Sequence, residues 1–172
     1  MHRTGFAAES DASHMTGSDI VVELVATPTD EVGVLVDELE AILAAEYPPE
    51  QRHGLPLTAI FQPHIRFFVA RLDGAAAGCG GVALFADFAE VKRMYVREAA
   101  RGRGVAPALL AAIEAAARET KLTRLFLETG TAQHAARRFY EREGFQRCGA
   151  FGDYRAMPPH TIATSVFMEK AL

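Results

Sequence analysis

The sequence predicts a chain of the α/β class, in its α+β form: a single mixed, mostly antiparallel central sheet with helices on both faces. Three observations carry this expectation. Strand-length apolar runs and helix-period amphipathic runs follow one another in the order β, α, loop, β-β-β, α, β, α, β-β. The three successive strands are joined by short turns, which favours antiparallel pairing. No internal repeat and no regular βαβ alternation of a doubly wound fold occurs.

The elements follow in order. Ile20 to Ala26 is a short apolar strand closed by Pro28. Thr29 or Asp30 can cap the helix that follows, and Asp30 and Glu31 favour its dipole. Val32, Leu35, Val36, Leu39, Ile42 and Leu43 recur at helical spacing until Tyr47-Pro48-Pro49 stops the run. Residues 50–63 hold Gly54, Pro56 and Pro63 and are expected as a loop with at most a short helix, long enough to wall a substrate site. Ile65 to Leu72 and Ala76 to Phe85 are strands around the hairpin signal Asp73-Gly74. Glu90 to Val96 is a further strand, Gly104 to Thr120 a helix, and Arg124 to Glu128 a short buried strand. Ala132 to Glu143 is a helix ended by Gly144. Phe145 to Phe151 and Ser165 to Lys170 are expected as strands around a proline-rich loop.

Length and composition bound the function. The 172 residues suit one domain on the scale of roughly 100–200 residues per domain. Residues 1–18 contain no apolar h-region and are expected to be a flexible leader, with the folded domain over 19–172. The net charge of −4 disfavours nucleic acid, whose binding calls for a basic surface. No run approaches the roughly 18 apolar residues of a membrane span, so no membrane role is expected. Cys79 and Cys148 are too few for a zinc site or a disulfide framework, and read as reduced thiols of a cytoplasmic protein with no metal.

The most informative stretch is a strand, Val91 to Val96, that runs into Arg101-Gly102-Arg103-Gly104-Val105-Ala106 and then a helix. Free N–H groups at a helix start, backed by the dipole, form an anion site, and Arg101 and Arg103 add charge. A P-loop needs Lys-Ser or Lys-Thr after its last glycine, and Val105-Ala106 stands there. A dinucleotide fingerprint needs glycine or alanine where Pro107 stands. The bland alternative is an arginine-rich helix start with no ligand.

Arg101-Gly102-Arg103-Gly104-Val105-Ala106 resembles the acetyl-CoA pyrophosphate loop of the GNAT superfamily of N-acetyltransferases, whose pattern is Gln/Arg-x-x-Gly-x-Gly/Ala. Met94-Tyr95-Val96 resembles the end of the family strand whose backbone pairs with the pantetheine arm. Leu127-Glu128-Thr129, Gln133, Ala136, Phe139-Tyr140 and Gly144-Phe145 are similar to the family's second half, with Gln133 where Asn is commoner. Gly152-Asp153-Tyr154 and Ser165 to Lys170 are similar to stand-alone bacterial members. The resemblance spans roughly residues 20–172 and implies the GNAT fold, with acetyl-CoA as acetyl donor. It implies that Met94, Tyr95, Val96, Arg101 to Ala106, Gln133 and Tyr140 contact acetyl-CoA. Pro107 departs from the expected donors by lacking an N–H, which a first helical turn tolerates.

The reaction so implied is direct acetyl transfer to an amine, with both substrates bound together. Neutralising a lysine-like amine at pH 7 costs about 4.6 kcal/mol, so a base or a water chain must take its proton. Glu90 and Glu128 compete for that task, although each could equally be an ion-pair partner. Tyr140 is the expected acid for the leaving sulfur; core packing is its alternative. Lys92, Arg93 and Arg155 could hold the carboxylate of an amino-acid-like acceptor, or pair with Glu90, Asp153 and Glu169. Arg93 and Arg155 are the expected substrate residues. The leading expectation is acetylation of a primary amine on a small molecule. A protein or peptide acceptor, and a non-catalytic acetyl-CoA sensor, are the alternatives. The family commonly dimerises through its C-terminal strands, which makes a homodimer a possible assembly.

Overall fold

The structure is a computed structural model that describes residues 18–172. Its strands are β1 (Ile20–Val25), β2 (Ile65–Leu72), β3 (Ala75–Leu84), β4 (Ala89–Val96), β5 (Arg124–Gly130), β6 (Gln146–Arg147) and β7 (Ser165–Ala171). Asp73 and Gly74, at φ 52° and 85°, make the tight left-handed turn that joins β2 to β3, as the Asp-Gly pair predicts. All seven strands form one sheet in the order β1-β2-β3-β4-β5-β7-β6. Every pairing is antiparallel except that of β4 with β5.

Helices cover both faces, as the alternation along β2 requires. On one face α1 (Asp30–Glu46) sets Val32, Leu35 and Val36 against Phe67, Val69 and Cys79. Thr29 Oγ1 accepts from the Val32 N–H at 3.2 Å and caps its start. On the other face α3 (Val105–Glu119) buries Leu109, Leu110 and Ile113 against Phe68, Ala70 and Val82. Each fully buried Leu or Ile of these faces contributes about 1.5–3 kcal/mol of transfer free energy. The segment expected as a loop carries a 3-10 turn at Pro49–Gln51 and the single turn α2 (Leu57–Ile60). Helix α4 (His134–Arg142) ends before Gly144, whose φ of 92° is the left-handed stop expected of it.

The Phe145–Phe151 expectation needs correction: only Gln146–Arg147 pairs as a strand. Phe145 packs on Tyr140, whereas Phe151 stacks with Phe126, Tyr154 and Phe167 in a separate aromatic cluster. Two rings drawn into different clusters pull the chain out of the ladder, and a 3-10 turn over Gly152–Ala156 follows. The expected leader lies outside the described residues except for Ser18.

Candidate active site

Strands β4 and β5 pair at two positions, Ala89 with Leu125 and Glu90 with Phe126. Beyond Glu90 they part, and a cavity opens between them. Glu90 to Met94 line it from β4, Leu127 to Gly130 from β5, Ala136 and Tyr140 from α4, and Gln133 from the cap of α4. Leu39 and Leu43 of α1, Tyr47 at its C-terminal cap, residues 51–54 and Tyr154 complete the wall. The Tyr47 hydroxyl accepts from the Ala132 N–H at 2.9 Å, which ties α1 to the start of α4.

A bulge sits on β4 at this opening. Cys79 faces Tyr95 and Gly81 faces Lys92, so β4 spends one residue more than β3 between the two pairings. Arg93 takes up the extra length at φ 53°, a left-handed conformation unusual for a side chain of its size. Bulges re-aim side chains next to functional sites. Here the β4 backbone beyond Glu90 also has no strand partner on its β5 side. Gly80 opposite permits the bulge, because a Cβ there would lie 2.8 Å from Met94 Sδ.

The floor of the cavity is a buried polar network. Lys92 Nζ donates to Glu90 Oε1 at 2.6 Å, and the Tyr154 hydroxyl donates to the same oxygen at 2.8 Å. Lys92 Nζ is also 3.1 Å from the Tyr154 hydroxyl oxygen. Burial, and then the charges of Glu90 and Glu128, push the Tyr154 phenol far up, so it stays a donor. Burial likewise raises the Glu128 carboxyl, opposed first by the nearby Ser165 side chain and then by His53 and Lys92. A carboxyl whose proton is held more tightly than usual, in a cavity, is a candidate to exchange a proton there.

Tyr140 comes from α4, with its ring edge-on to Phe145 at 5.4 Å and 5% of its surface exposed. Burial raises its phenol. Its hydroxyl has no hydrogen-bond partner among the described residues although it lines the cavity, so it can donate to a molecule bound there.

At the end of β4 the chain turns through Gly102 and Gly104, at φ 74° and 90°, into α3. Among the described residues no acceptor bonds the N–H groups of Gly102, Arg103 or Gly104. Val105 and Ala106 open α3, so their N–H groups have no intrahelical acceptor either. Ala108 N–H already bonds the Gly104 carbonyl at 3.2 Å. This row of free donors at the positive end of a fifteen-residue helix fits a pyrophosphate.

The family description "Acetyltransferase (GNAT) family" matches residues 36–145. The chain belongs to the GNAT family of acetyltransferases. It is 41% identical over 145 residues to a protein of Azospirillum brasilense named IAA acetyltransferase, across 83% of this chain and 92% of that one. A crystal structure of a Klebsiella pneumoniae putative acyl-CoA N-acyltransferase superposes with a TM-score of 0.70 at 33% identity, covering 89% of this chain and 97% of that one. The Thermoplasma acidophilum PaiA N-acetyltransferase, solved with coenzyme A, shares the fold at a TM-score of 0.62 and 16% identity, over 88% of this chain and 99% of that one.

The GNAT fold brings most of the residues singled out in the sequence to one place. Glu90, Glu128, Met94, Gln133 and Tyr140 all line the cavity, and the Gln133 amide bonds Glu46. Tyr95 points to the α1 face, where its hydroxyl donates to Glu38 at 3.0 Å, and Val96 packs against the α3 core. Arg101 holds the Val96 carbonyl at 3.2 Å, while Arg103 bonds Ser18 Oγ and Asp73 Oδ2 at 2.7 and 2.9 Å.

The two arginines expected to hold the substrate stand apart in the structure. Arg93 lines the cavity, and its Nε and Nη1 donate to the Leu55 carbonyl at 2.7 Å and to Glu40 at 2.8 Å, which anchors the bulge to α1. Arg155 bonds the Ala150 carbonyl at 3.0 Å and does not line the cavity. The sequence alone assigns no individual role to Arg52, His53 or Tyr154. His53 and Tyr154 meet edge-on at 5.6 Å, a contact across the fold that no local pattern announces.

Proposed function

We propose that this GNAT protein is an N-acetyltransferase that moves acetyl from acetyl-CoA to a primary amine of a small molecule in a ternary complex. The stitching of the two acceptor-side loops carries the choice of a small acceptor. Gln51 Nε2 donates to the His160 carbonyl at 3.1 Å, and Thr164 Oγ1 donates to Gln51 Oε1 at 3.1 Å. His53 Nε2 lies 2.8 Å from the Thr161 carbonyl oxygen. These bonds brace residues 51–53, which line the cavity, against residues 160–164. A peptide acceptor calls for an open groove.

The free N–H groups of Gly102 to Ala106 are the donors that would hold the pyrophosphate of acetyl-CoA, with Arg101 and Arg103 beside them. The unpaired edge of β4 from Met94 to Val96 would hold the pantetheine arm, with Gln133 beside it. When bound, acetyl-CoA supplies a thioester that an amine can attack. Glu128, raised by its burial, takes the amine proton directly or through water. Glu90 is fixed by Lys92 and Tyr154 and sets the field around Glu128, which leaves it less free to act as the base. Tyr140 holds a proton on Oη for the leaving sulfur. Because a thiol has a pKa near 8.5, that step needs only modest acid help. The free thiols of Cys79 and Cys148 support a reducing, cytoplasmic setting.

The test is mass spectrometry on free amino acids, polyamines, aminoglycosides and short peptides incubated with acetyl-CoA. The reading predicts one class of small amine carrying an added acetyl group only when intact protein is present. Acetylation confined to peptides would replace the small-molecule reading. Binding of acetyl-CoA with no transfer to any amine would replace it with a sensor.

A further inference from the structure

We infer that the acceptor amine carries a carboxylate and that Arg52 grips it; this rests on the acetyl-transfer reading above. Arg52 lies in the loop between α1 and α2 and lines the cavity. Its Nη1 donates to Glu40 Oε1 at 2.5 Å. Among the described residues its Nε is buried with no partner and no acceptor bonds its Nη2. These two N–H groups share one edge of the planar guanidinium, the fork that matches a carboxylate. Arg97 shows the complete version of this edge in the same chain: its Nε and Nη2 grip Glu38 Oε2 and Oε1 at 3.0 and 2.8 Å. A buried N–H without an acceptor is costly, and a ligand oxygen removes that cost.

Charge points the same way. Glu40 is shared by Arg52 and Arg93, and the hydrogen bond from Arg93, with both guanidinium charges, holds its carboxyl below the usual range. One carboxylate facing two guanidiniums leaves a positive charge unbalanced on this wall. At the floor Lys92 neutralises Glu90, while no cation among the described residues forms an ion pair with Glu128. The cavity thus offers a cationic fork on one side and a proton-accepting carboxyl on the other. That polarity suits a molecule bearing both an ammonium and a carboxylate, as an amino acid does. Arg93 already donates through Nε and Nη1, and Arg155 does not line the cavity, so among the described residues Arg52 is the cavity arginine whose Nε–Nη2 edge bonds no acceptor.

The experiment compares acetylation of the twenty amino acids with that of their carboxamides, alongside polyamines and aminoglycosides, in the wild type and in Arg52→Lys and Arg52→Gln. The inference predicts that at least one free acid outperforms its amide by about tenfold or more in kcat/KM. It also predicts that both variants erase that preference, mainly through KM. Arg52→Lys keeps a charge for Glu40 but loses the fork, so its thermal midpoint shows whether lost preference is lost folding. Amides used as well as acids, a preference that survives in folded Arg52→Lys, or acetylation confined to amines without a carboxylate would overturn this inference and leave acetyl transfer intact. Transfer to no amine at all, with acetyl-CoA still bound, would overturn the acetyltransferase reading and this inference with it.

Discussion

The Tyr154 hydroxyl donates to Glu90 Oε1 at 2.8 Å, and Lys92 Nζ reaches the same oxygen at 2.6 Å. The bonds join β4 to the 3-10 turn over Gly152–Ala156 and so fix the cavity floor against the aromatic cluster. With side chains 5% and 14% exposed, Glu90 and Lys92 form a largely desolvated pair. Removing one partner leaves the other charge stranded.

Lys92→Met should therefore destabilise the protein by about 3–5 kcal/mol, because it leaves Glu90 buried and unpaired. The double variant Lys92→Met with Glu90→Gln should recover most of that loss, since no unpaired charge remains. Denaturant unfolding of both single variants and the pair measures the coupling. Additive losses would show that the pair is not coupled.

Tyr140→Phe removes a hydroxyl that bonds no described residue and leaves the ring packed on Phe145. Stability should change by less than about 0.5 kcal/mol. Turnover should fall about 10²-fold, the low end of general acid catalysis, because a thiolate leaves readily. Acetyl-CoA affinity should hardly move. Steady-state kinetics with a calorimetric titration separate these effects, and unchanged kcat would remove Tyr140 from the chemistry.

Glu128→Gln should move stability and activity in opposite directions. Burial raises the Glu128 carboxyl, so the folded state binds its proton more tightly than the unfolded chain, where the value is about 4.3. Below that value the group costs the fold nothing, and its cost grows as pH rises through the raised folded value. The variant should thus melt higher than the wild type near neutral pH, with the gap closing toward about pH 4. Its activity should fall and lose the rising limb that deprotonation of Glu128 gives the wild-type pH profile. A variant that melts lower at neutral pH would contradict this.

Gly104→Ala tests the turn into α3. At φ 90° an alanine costs about 1–2 kcal/mol, and its Cβ would lie 3.3 Å from Ile20 Cδ1. The strain tilts the N–H groups of the turn, so KM for acetyl-CoA should rise while kcat at saturation changes little. Equal KM values would argue that the phosphates bind elsewhere.

Local chemistry made much of this fold legible. The Thr29 cap, the Asp73-Gly74 turn and the Gly144 stop each follow from one residue's conformational preference, and all three stand where expected. The turn through Gly102 and Gly104 into α3 was readable because its glycines and helix start are consecutive. The Phe145–Phe151 segment was not, since its rings answer to Phe126 and Tyr140 rather than to their neighbours. The fate of Arg93 depends on Glu40, 53 residues away, and on a bulge set by the strand opposite. Arg52 depends on the same Glu40. A turn of consecutive residues is written in order along the chain, whereas the wall around Arg52 and Arg93 is assembled from distant loops.

The central claim is that acetyl-CoA and the amine meet where β4 parts from β5. Amide chemical shifts followed by NMR while acetyl-CoA is added test it most directly. Saturable shifts concentrated at Met94 to Val96, at Gly102 to Ala106 and around Tyr140 are the predicted result. Shifts that saturate on another part of the surface, with these amides unmoved, would contradict it.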